Sequence, residues 1–185
     1  MGLHQALAQR RSVREYTDSP IDLKDLGQLL WAGQGVTSAE GFRTAPSAGG
    51  LYPLTLYAAV RAVDGLQSAV YRYLPHTHAL AATRAPHVPL ELWAAALQQE
   101  ALRQAAVVII VAGSVEITAE KYGDRAPQYA ILEAGHAAQN VMLEAVALGL
   151  ASVPIGAFYE GQVKSALAIM EEPWLLIPVG RRMIR

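Results

Sequence analysis

Arg10-Arg11-Ser12-Val13-Arg14 places three guanidiniums and a hydroxyl within five residues. In an extended segment side chains alternate, so Arg10, Ser12 and Arg14 would share one side. Such a row can grip a phosphate and set a cation beside a ring system. The plain alternative is a solvated basic segment. Gly180-Arg181-Arg182 adds two cations near the end of the sequence. Pro46-Ser47-Ala48-Gly49-Gly50-Leu51-Tyr52-Pro53 joins a hydroxyl to two glycines, whose backbone can come close to a ligand or simply turn before a strand. Val153-Pro154-Ile155-Gly156-Ala157-Phe158 could turn backbone N–H groups toward a flat ligand at Gly156, or form an ordinary buried strand.

Lys121-Tyr122 is a candidate proton-transfer pair, since a partly desolvated lysine acts as a base and a phenol gives or takes a proton. An exposed lysine beside a packed tyrosine is the simpler reading. Glu133, His136, Asn140 and Glu144 are spaced 3, 4 and 4, forming one polar ridge on a mostly apolar helix. Gly135 inside that helix costs about 1 kcal/mol relative to alanine, which close packing or ligand approach would explain. Glu133 and His136 lack further metal ligands at a recognisable spacing, as do His4, His76, His78 and His87, so no metal site is assigned. Gly33-Gln-Gly35-Val-Thr-Ser38 lacks the third glycine of a dinucleotide fingerprint and follows a helix. Phosphate-loop, nucleophile-elbow and zinc-protease motifs are absent.

The elements that must position these residues follow from periodicity. Leu3–Gln9 reads as a short amphipathic helix. Asp22 is a good N-cap for a helix over Leu23–Ala32, with Gly33 as its stop. Gly33–Pro53 is a long loop, of the kind that is often functional. Leu54–Arg61 alternates as a strand, Val70–Leu74 is a second strand, and Pro75–Thr77 a turn. Pro86–Pro89 leads into a helix over Leu90–Gln104. Ala106–Ala112 is a continuous apolar run, hence a central strand buried on both faces. Helices are expected at Glu116–Gly123, Gln128–Leu148 and Gln162–Ala168, an extended segment at Ser152–Phe158, and a last strand at Trp174–Val179. Without strict βαβ alternation, and without repeats or a linker, the expected class is α+β in a single domain over residues 1–185.

Composition narrows the partners. The 185 residues carry 15 basic and 16 acidic side chains, and 52% are hydrophobic. That is too apolar for a disordered chain and hints at surface buried against another subunit. Near-neutral charge argues against nucleic acid. With no cysteine, disulfides and thiolate chemistry are excluded. The most apolar run, Ala105–Ala112, is eight residues, far below the roughly 20 that span a bilayer, and no secretory signal is visible. A cytoplasmic protein is expected.

Together these segments resemble the FMN-dependent nitroreductase family over nearly the whole chain. The likeness is closest to its SagB-type branch, which includes the thiazole/oxazole (azoline) oxidases. It is carried, in family order, by Arg10-Arg-Ser-Val-Arg14, Pro46-Ser-Ala-Gly-Gly-Leu-Tyr-Pro53, Lys121-Tyr-Gly-Asp-Arg125, Glu133-Ala-Gly-His-Ala-Ala-Gln-Asn140 with Gly149-Leu150, and Pro154-Ile-Gly-Ala157. The resemblance implies a mostly antiparallel sheet flanked by helices, in an intertwined homodimer with FMN at the interface. By the same resemblance the Arg10-Arg11-Ser12-Arg14 segment would hold FMN from one subunit, and Pro46, Ser47, Ala48 and Gly49 from the other. Pro154, Ile155 and Gly156 would lie against the ring system, and Arg181 or Arg182 would complete the phosphate site. NAD(P)H and a substrate would use one flavin face in turn, with a nitro compound, quinone or oxygen as acceptor. In an azoline oxidase electrons would flow from a modified peptide instead, Lys121 and Tyr122 would serve proton removal, and a partner protein would deliver the peptide. A non-catalytic flavin-binding subunit is the remaining alternative.

Overall fold

The structure is a computed structural model and describes residues 1–85 and 90–183. The expected lead-in Pro86–Pro89, with His87, lies outside the described residues, as do Ile184 and Arg185.

In chain order the elements are α1 (Leu3–Gln9), α2 (Leu23–Gln34), β1 (Leu54–Val60), β2 (Ala69–Leu74), β3 (Ala79–Ala82), α3 (Leu90–Ala95), α4 (Glu100–Gln104), β4 (Val107–Gly113), α5 (Val115–Tyr122), α6 (Ala126–Ala147), β5 (Ala151–Ser152), α7 (Glu160–Leu167) and β6 (Glu172–Gly180). The strands form one sheet in the order β3-β2-β1-β4-β6-β5. Every neighbouring pair is antiparallel, with Tyr57 opposite Ile110 and Ile109 opposite Ile177 at the centre. The α+β class is therefore as expected.

Period-two alternation splits the core into two layers. Leu56, Ala58, Ile109 and Val111 face α2 and α6, meeting Leu26, Leu30, Ala137 and Val141. Tyr57, Ala59, Val108 and Ile110 face the opposite side, meeting Leu92, Leu102, Val163 and Leu167 from α3, α4 and α7. Every residue of β4 is buried, so its unbroken Val/Ile run is what a strand covered on both faces requires. Burying each such side chain is worth about 1.5–3 kcal/mol.

The structure departs from the sequence expectation in four places. Gly33 does not stop α2, which runs one residue further, to Gln34. A Cβ on Gly33 would lie 2.8 Å from Leu56 Cδ1 and 3.0 Å from Val141 Cγ2, so this glycine lets the helix close on the sheet. The helix expected over Leu90–Gln104 is broken into α3 and α4, because Leu97 and Gln98 take left-handed φ values of 57° and 55°. β3 was not foreseen: Ala79-Leu-Ala-Ala82 has no β-branched or aromatic residue, and pairing with β2 imposes its conformation. The extended segment Ser152–Phe158 shrinks to β5 and one bridge, Ile155 to Leu176.

Candidate active site

The sequence-predicted residues assemble in two groups. The first is built where α1 ends. Arg11 Nη1 donates to Ala8 O at 3.0 Å and Arg10 O at 2.7 Å, folding its guanidinium onto carbonyls that a helix end leaves unpaired. The chain then extends along the sheet edge. Ser12 bridges Ser152 in parallel, the Val13 N–H donates to Ser152 O at 3.0 Å, and Tyr16 bridges Arg182. Tyr16 is buried, its hydroxyl within 2.7 Å of Val13 O, and burial pushes its pKa well above the usual phenol range.

A cavity of about 490 Å³ opens here, and Arg11, Val13, Gly149, Ser152 and Arg182 are among its walls. Side-chain alternation holds, but Arg11 and Val13 are the residues that face this cavity. Arg10, half-buried, and Ser12 and Arg14, exposed, are not among its lining. The two terminal arginines separate as well. Arg181 is held by Pro20 O at 2.9 Å and Asp22 Oδ2 at 3.2 Å, whereas Arg182 lines the cavity. Pro154 and Gly156 are exposed on either side of buried Ile155, whose N–H and C=O both pair with Leu176, at 2.8 and 2.9 Å.

The second group joins the loop after α2 to α5 and α6. Gly49 and Gly50 take φ of 63° and 68°, a turn that L side chains rarely adopt. A Cβ on Gly49 would lie 2.9 Å from both Lys121 Nζ and Tyr122 Oη. The Pro46–Pro53 motif therefore sits directly on the Lys121-Tyr122 motif. Lys121 is exposed, and Tyr122 stacks edge-on against Tyr129 with centroids 5.0 Å apart. Pro46, Ser47, Ala48, Tyr129, Leu132, Glu133 and His136 line a cavity of about 240 Å³.

Beneath that cavity is a buried polar cluster. Glu133 is only 3% exposed, and its Oε1 has no hydrogen-bond partner among the described residues. Burial pushes its carboxyl up to about 7, opposed by a hydrogen bond from Ser47 and the charge of Arg43. Arg43 Nη1 donates to Gln34 Oε1 at 2.6 Å, and its guanidinium lies 4.6 Å from the Tyr52 ring centroid. Burial lowers the Arg43 pKa, opposed by Glu133, Tyr52 and Tyr73. The Tyr52 N–H donates to Ser47 Oγ at 2.9 Å.

The polar ridge expected on α6 thus divides: Glu133 is buried, His136 is exposed, and Asn140 Nδ2 donates to Thr44 O at 3.2 Å. Sequence reasoning missed Arg43 and Gln34. The available signal was that Arg43 is the one basic residue between Gly35 and Pro53. Packing among the described residues does not explain Gly135, because a Cβ there would meet none of their atoms within 4 Å. A third cavity, of about 330 Å³, lies between α2 and the β2–β3 hairpin and contains none of the predicted site residues.

The sequence matches the Nitroreductase family over residues 7–181. It is 46% identical to "Putative nitroreductase MJ1384" of Methanocaldococcus jannaschii over 181 residues, covering 98% of this chain and 91% of that protein. Among solved structures it superposes with a TM-score of 0.86 on a chain from Ralstonia eutropha JMP134 titled a putative nitroreductase, at 27% identity, covering 100% of this chain and 85% of that one. It superposes with a TM-score of 0.81 on a chain of the Escherichia coli microcin synthetase McbBCD complex with truncated pro-MccB17 bound, at 20% identity, covering 97% and 73% of the two chains. With a family match spanning nearly its whole length and a relative of this identity, the chain belongs to the Nitroreductase family.

Proposed function

We propose that this oxidoreductase binds FMN and moves a hydride between NAD(P)H, or an organic substrate, and a nitro, quinone or oxygen acceptor. The observation that carries this reading is the junction of the Arg10–Arg14 segment, β5 and Arg182 around one cavity. Its donor set fits the group. Two guanidiniums and the Ser152 strand edge suit a phosphate, while Arg10, Ser12 and Arg14 lie on the adjacent side of the same segment. Pro154, Ile155 and Gly156 would offer backbone to the flat ring system. FMN would supply the two-electron chemistry, and a cation beside the ring edge would stabilise the negative charge of its reduced form.

The working unit in this proposal is a homodimer, with Pro46, Ser47, Ala48 and Gly49 reaching the cofactor of the other subunit. Exposed apolar surface supports it. Ile131 and Leu132 on α6 are 50% and 52% exposed, and Gly135, one turn on, presents bare backbone on the helix surface. A strip of this kind, with a glycine that lets another backbone approach, suits a second copy.

A second reading is favoured by the contact of Gly49 with Lys121 and Tyr122. There the pair would remove a proton from an azoline substrate, as in a SagB-type oxidase acting on a modified peptide with a partner protein. The likeness to a chain of the microcin synthetase complex is in keeping with this through the fold alone.

The test is a visible absorbance spectrum of the purified protein, recorded anaerobically with and without NADH or NADPH. A flavin spectrum that bleaches supports the reductase. A flavin spectrum untouched by either nucleotide favours the azoline reading or a binding subunit. A colourless protein that takes up no added FMN overturns the proposal.

A further inference from the structure

We propose that Glu133 is a positioning residue whose carboxyl decides where the Ser47 hydroxyl sends its proton. This rests on the FMN reading above, in which Ser47 faces a bound flavin.

Ser47 Oγ already accepts the Tyr52 N–H at 2.9 Å, so one lone pair is committed to holding the loop. Its single O–H has two possible acceptors: the Glu133 carboxyl, within hydrogen-bonding reach, or an atom entering the 240 Å³ cavity that both residues line. An ionised carboxylate only accepts, so it captures the Ser47 proton. A protonated carboxyl has an O–H of its own to donate and leaves the Ser47 proton free for a ligand.

The surroundings make this choice available near neutral pH. Glu133 is 3% exposed and its Oε1 has no partner among the described residues, so the ionised form is poorly satisfied and expensive. Arg43, on the loop after α2, is the opposing charge, and its fork is already shared with Gln34. α2 contributes that neutral amide. β2 contributes Tyr73, whose phenol is pushed up to about 12 and stays protonated. α5 contributes Lys121 and Tyr122 across Gly49, and α6 itself adds Tyr129 and His136 to the cavity wall. These oppositions place the carboxyl at about 7, where a shift of one pH unit changes the Ser47 donor.

The experiment is FMN affinity measured by flavin fluorescence from pH 6 to 8.5, for wild type, Glu133→Gln and Ser47→Ala. Dividing each curve by the Glu133→Gln curve cancels the titration of the FMN phosphate, which all three share. Wild type is expected to bind about three- to ten-fold more weakly at pH 8.5 than at pH 6 relative to Glu133→Gln, the worth of one hydrogen bond. Ser47→Ala is expected to be uniformly weak relative to Glu133→Gln, with no step. The carbonyl-stretch infrared band of a protonated carboxyl should vanish between pH 6 and 8.5 in wild-type apoprotein and be missing in Glu133→Gln. Parallel affinity curves for wild type and Glu133→Gln, with FMN tightly bound, overturn the role of Glu133 alone. Failure of the wild type to bind FMN at any pH overturns the FMN reading and this inference together. Should Glu133→Gln not fold, an affinity ratio of Ser47→Ala to wild type that stays flat from pH 6 to 8.5 overturns it equally.

Discussion

Gly49 meets Lys121 with no room for a methyl group: a Cβ on the glycine would lie 2.9 Å from the lysine Nζ and equally close to Tyr122 Oη. The left-handed φ of 63° adds a backbone penalty of about 1–2 kcal/mol for any L side chain. The lysine tip is flexible and can move aside, so most of the structural cost is conformational. Gly49→Ala is expected to destabilise the protein by about 1–2 kcal/mol, a drop of roughly 2–8 °C in Tm for a chain of this size. It should also displace Lys121 from the loop. Thermal unfolding followed by circular dichroism reads the first effect. An unchanged Tm would mean that the turn relaxes.

Gly33→Ala sets helix propensity against packing. Propensity favours alanine by about 1 kcal/mol inside α2. Against this, the new methyl would lie 2.8 Å from Leu56 Cδ1 and 3.0 Å from Val141 Cγ2, in a fully buried layer. Overpacking of this kind costs about 1–3 kcal/mol, and here α2, β1 and α6 must all give way. Net destabilisation is expected in urea unfolding; a stabilised variant would show that the layer is looser than its contacts indicate.

These two glycines also show what the sequence could and could not reveal. The central sheet was readable because Leu54–Val60 alternates and Val107–Gly113 is an unbroken apolar run, the patterns of strands that send side chains into two separate layers. Gly33 was misjudged because a helix-ending glycine and a packing glycine look the same until the partner, Leu56, is known. β3 was invisible because its four residues have no strand preference of their own. The motif residues were legible one by one, but their grouping was not. That Gly49 touches Lys121, that Arg181 is held by Asp22 while Arg182 is not, and that Glu133 is buried beside Ser47 all depend on tertiary contacts between segments far apart in sequence.

Arg181 and Arg182 are expected to behave differently on substitution. Arg181 is tied to Pro20 O and Asp22, so Arg181→Ala should loosen the approach to α2 with little change in FMN affinity. Arg182 lines the cavity with Arg11, so Arg182→Ala should weaken FMN binding by about ten-fold or more, the loss of a charge-assisted contact of roughly 1.5–3 kcal/mol. Fluorescence titration of each apoprotein decides it. Equal losses would overturn this division of roles, and no loss for Arg182→Ala would mean that Arg182 does not reach the phosphate.

Glu133 should leave a signature in stability as well as in binding. Its folded value of about 7 is raised above the ordinary 4.5. The neutral form is the one the fold favours, so its contribution is fully present below pH 4.5 and is lost as pH rises through 7. A shift of that size corresponds to about 3 kcal/mol at most. Glu133→Gln should therefore match wild type near pH 4.5 and exceed its stability by up to about 3 kcal/mol at pH 8. Urea unfolding at the two pH values tests this, and a difference that does not change with pH would count against the buried carboxyl.

Lys121→Ala separates the two chemical readings of the site. Lys121 is exposed, its ammonium 5.6 Å from the centroid of the Tyr122 ring, so its removal leaves no cavity and no unpaired buried charge. Folding and FMN content should be unchanged. If the pair removes a proton from an azoline, oxidation of such a substrate should fall by about 10²–10⁴-fold, the usual worth of a general base. In the reductase reading, nitro and quinone reduction by NAD(P)H would take no proton through this pair and should keep its rate. Tyr122→Phe gives the matching control, because it retains the edge-on contact with Tyr129 while removing the hydroxyl beside Gly49. If both substitutions slow reductase turnover while leaving bound FMN in place, Lys121 and Tyr122 serve the reaction common to the family and do not distinguish the oxidase branch.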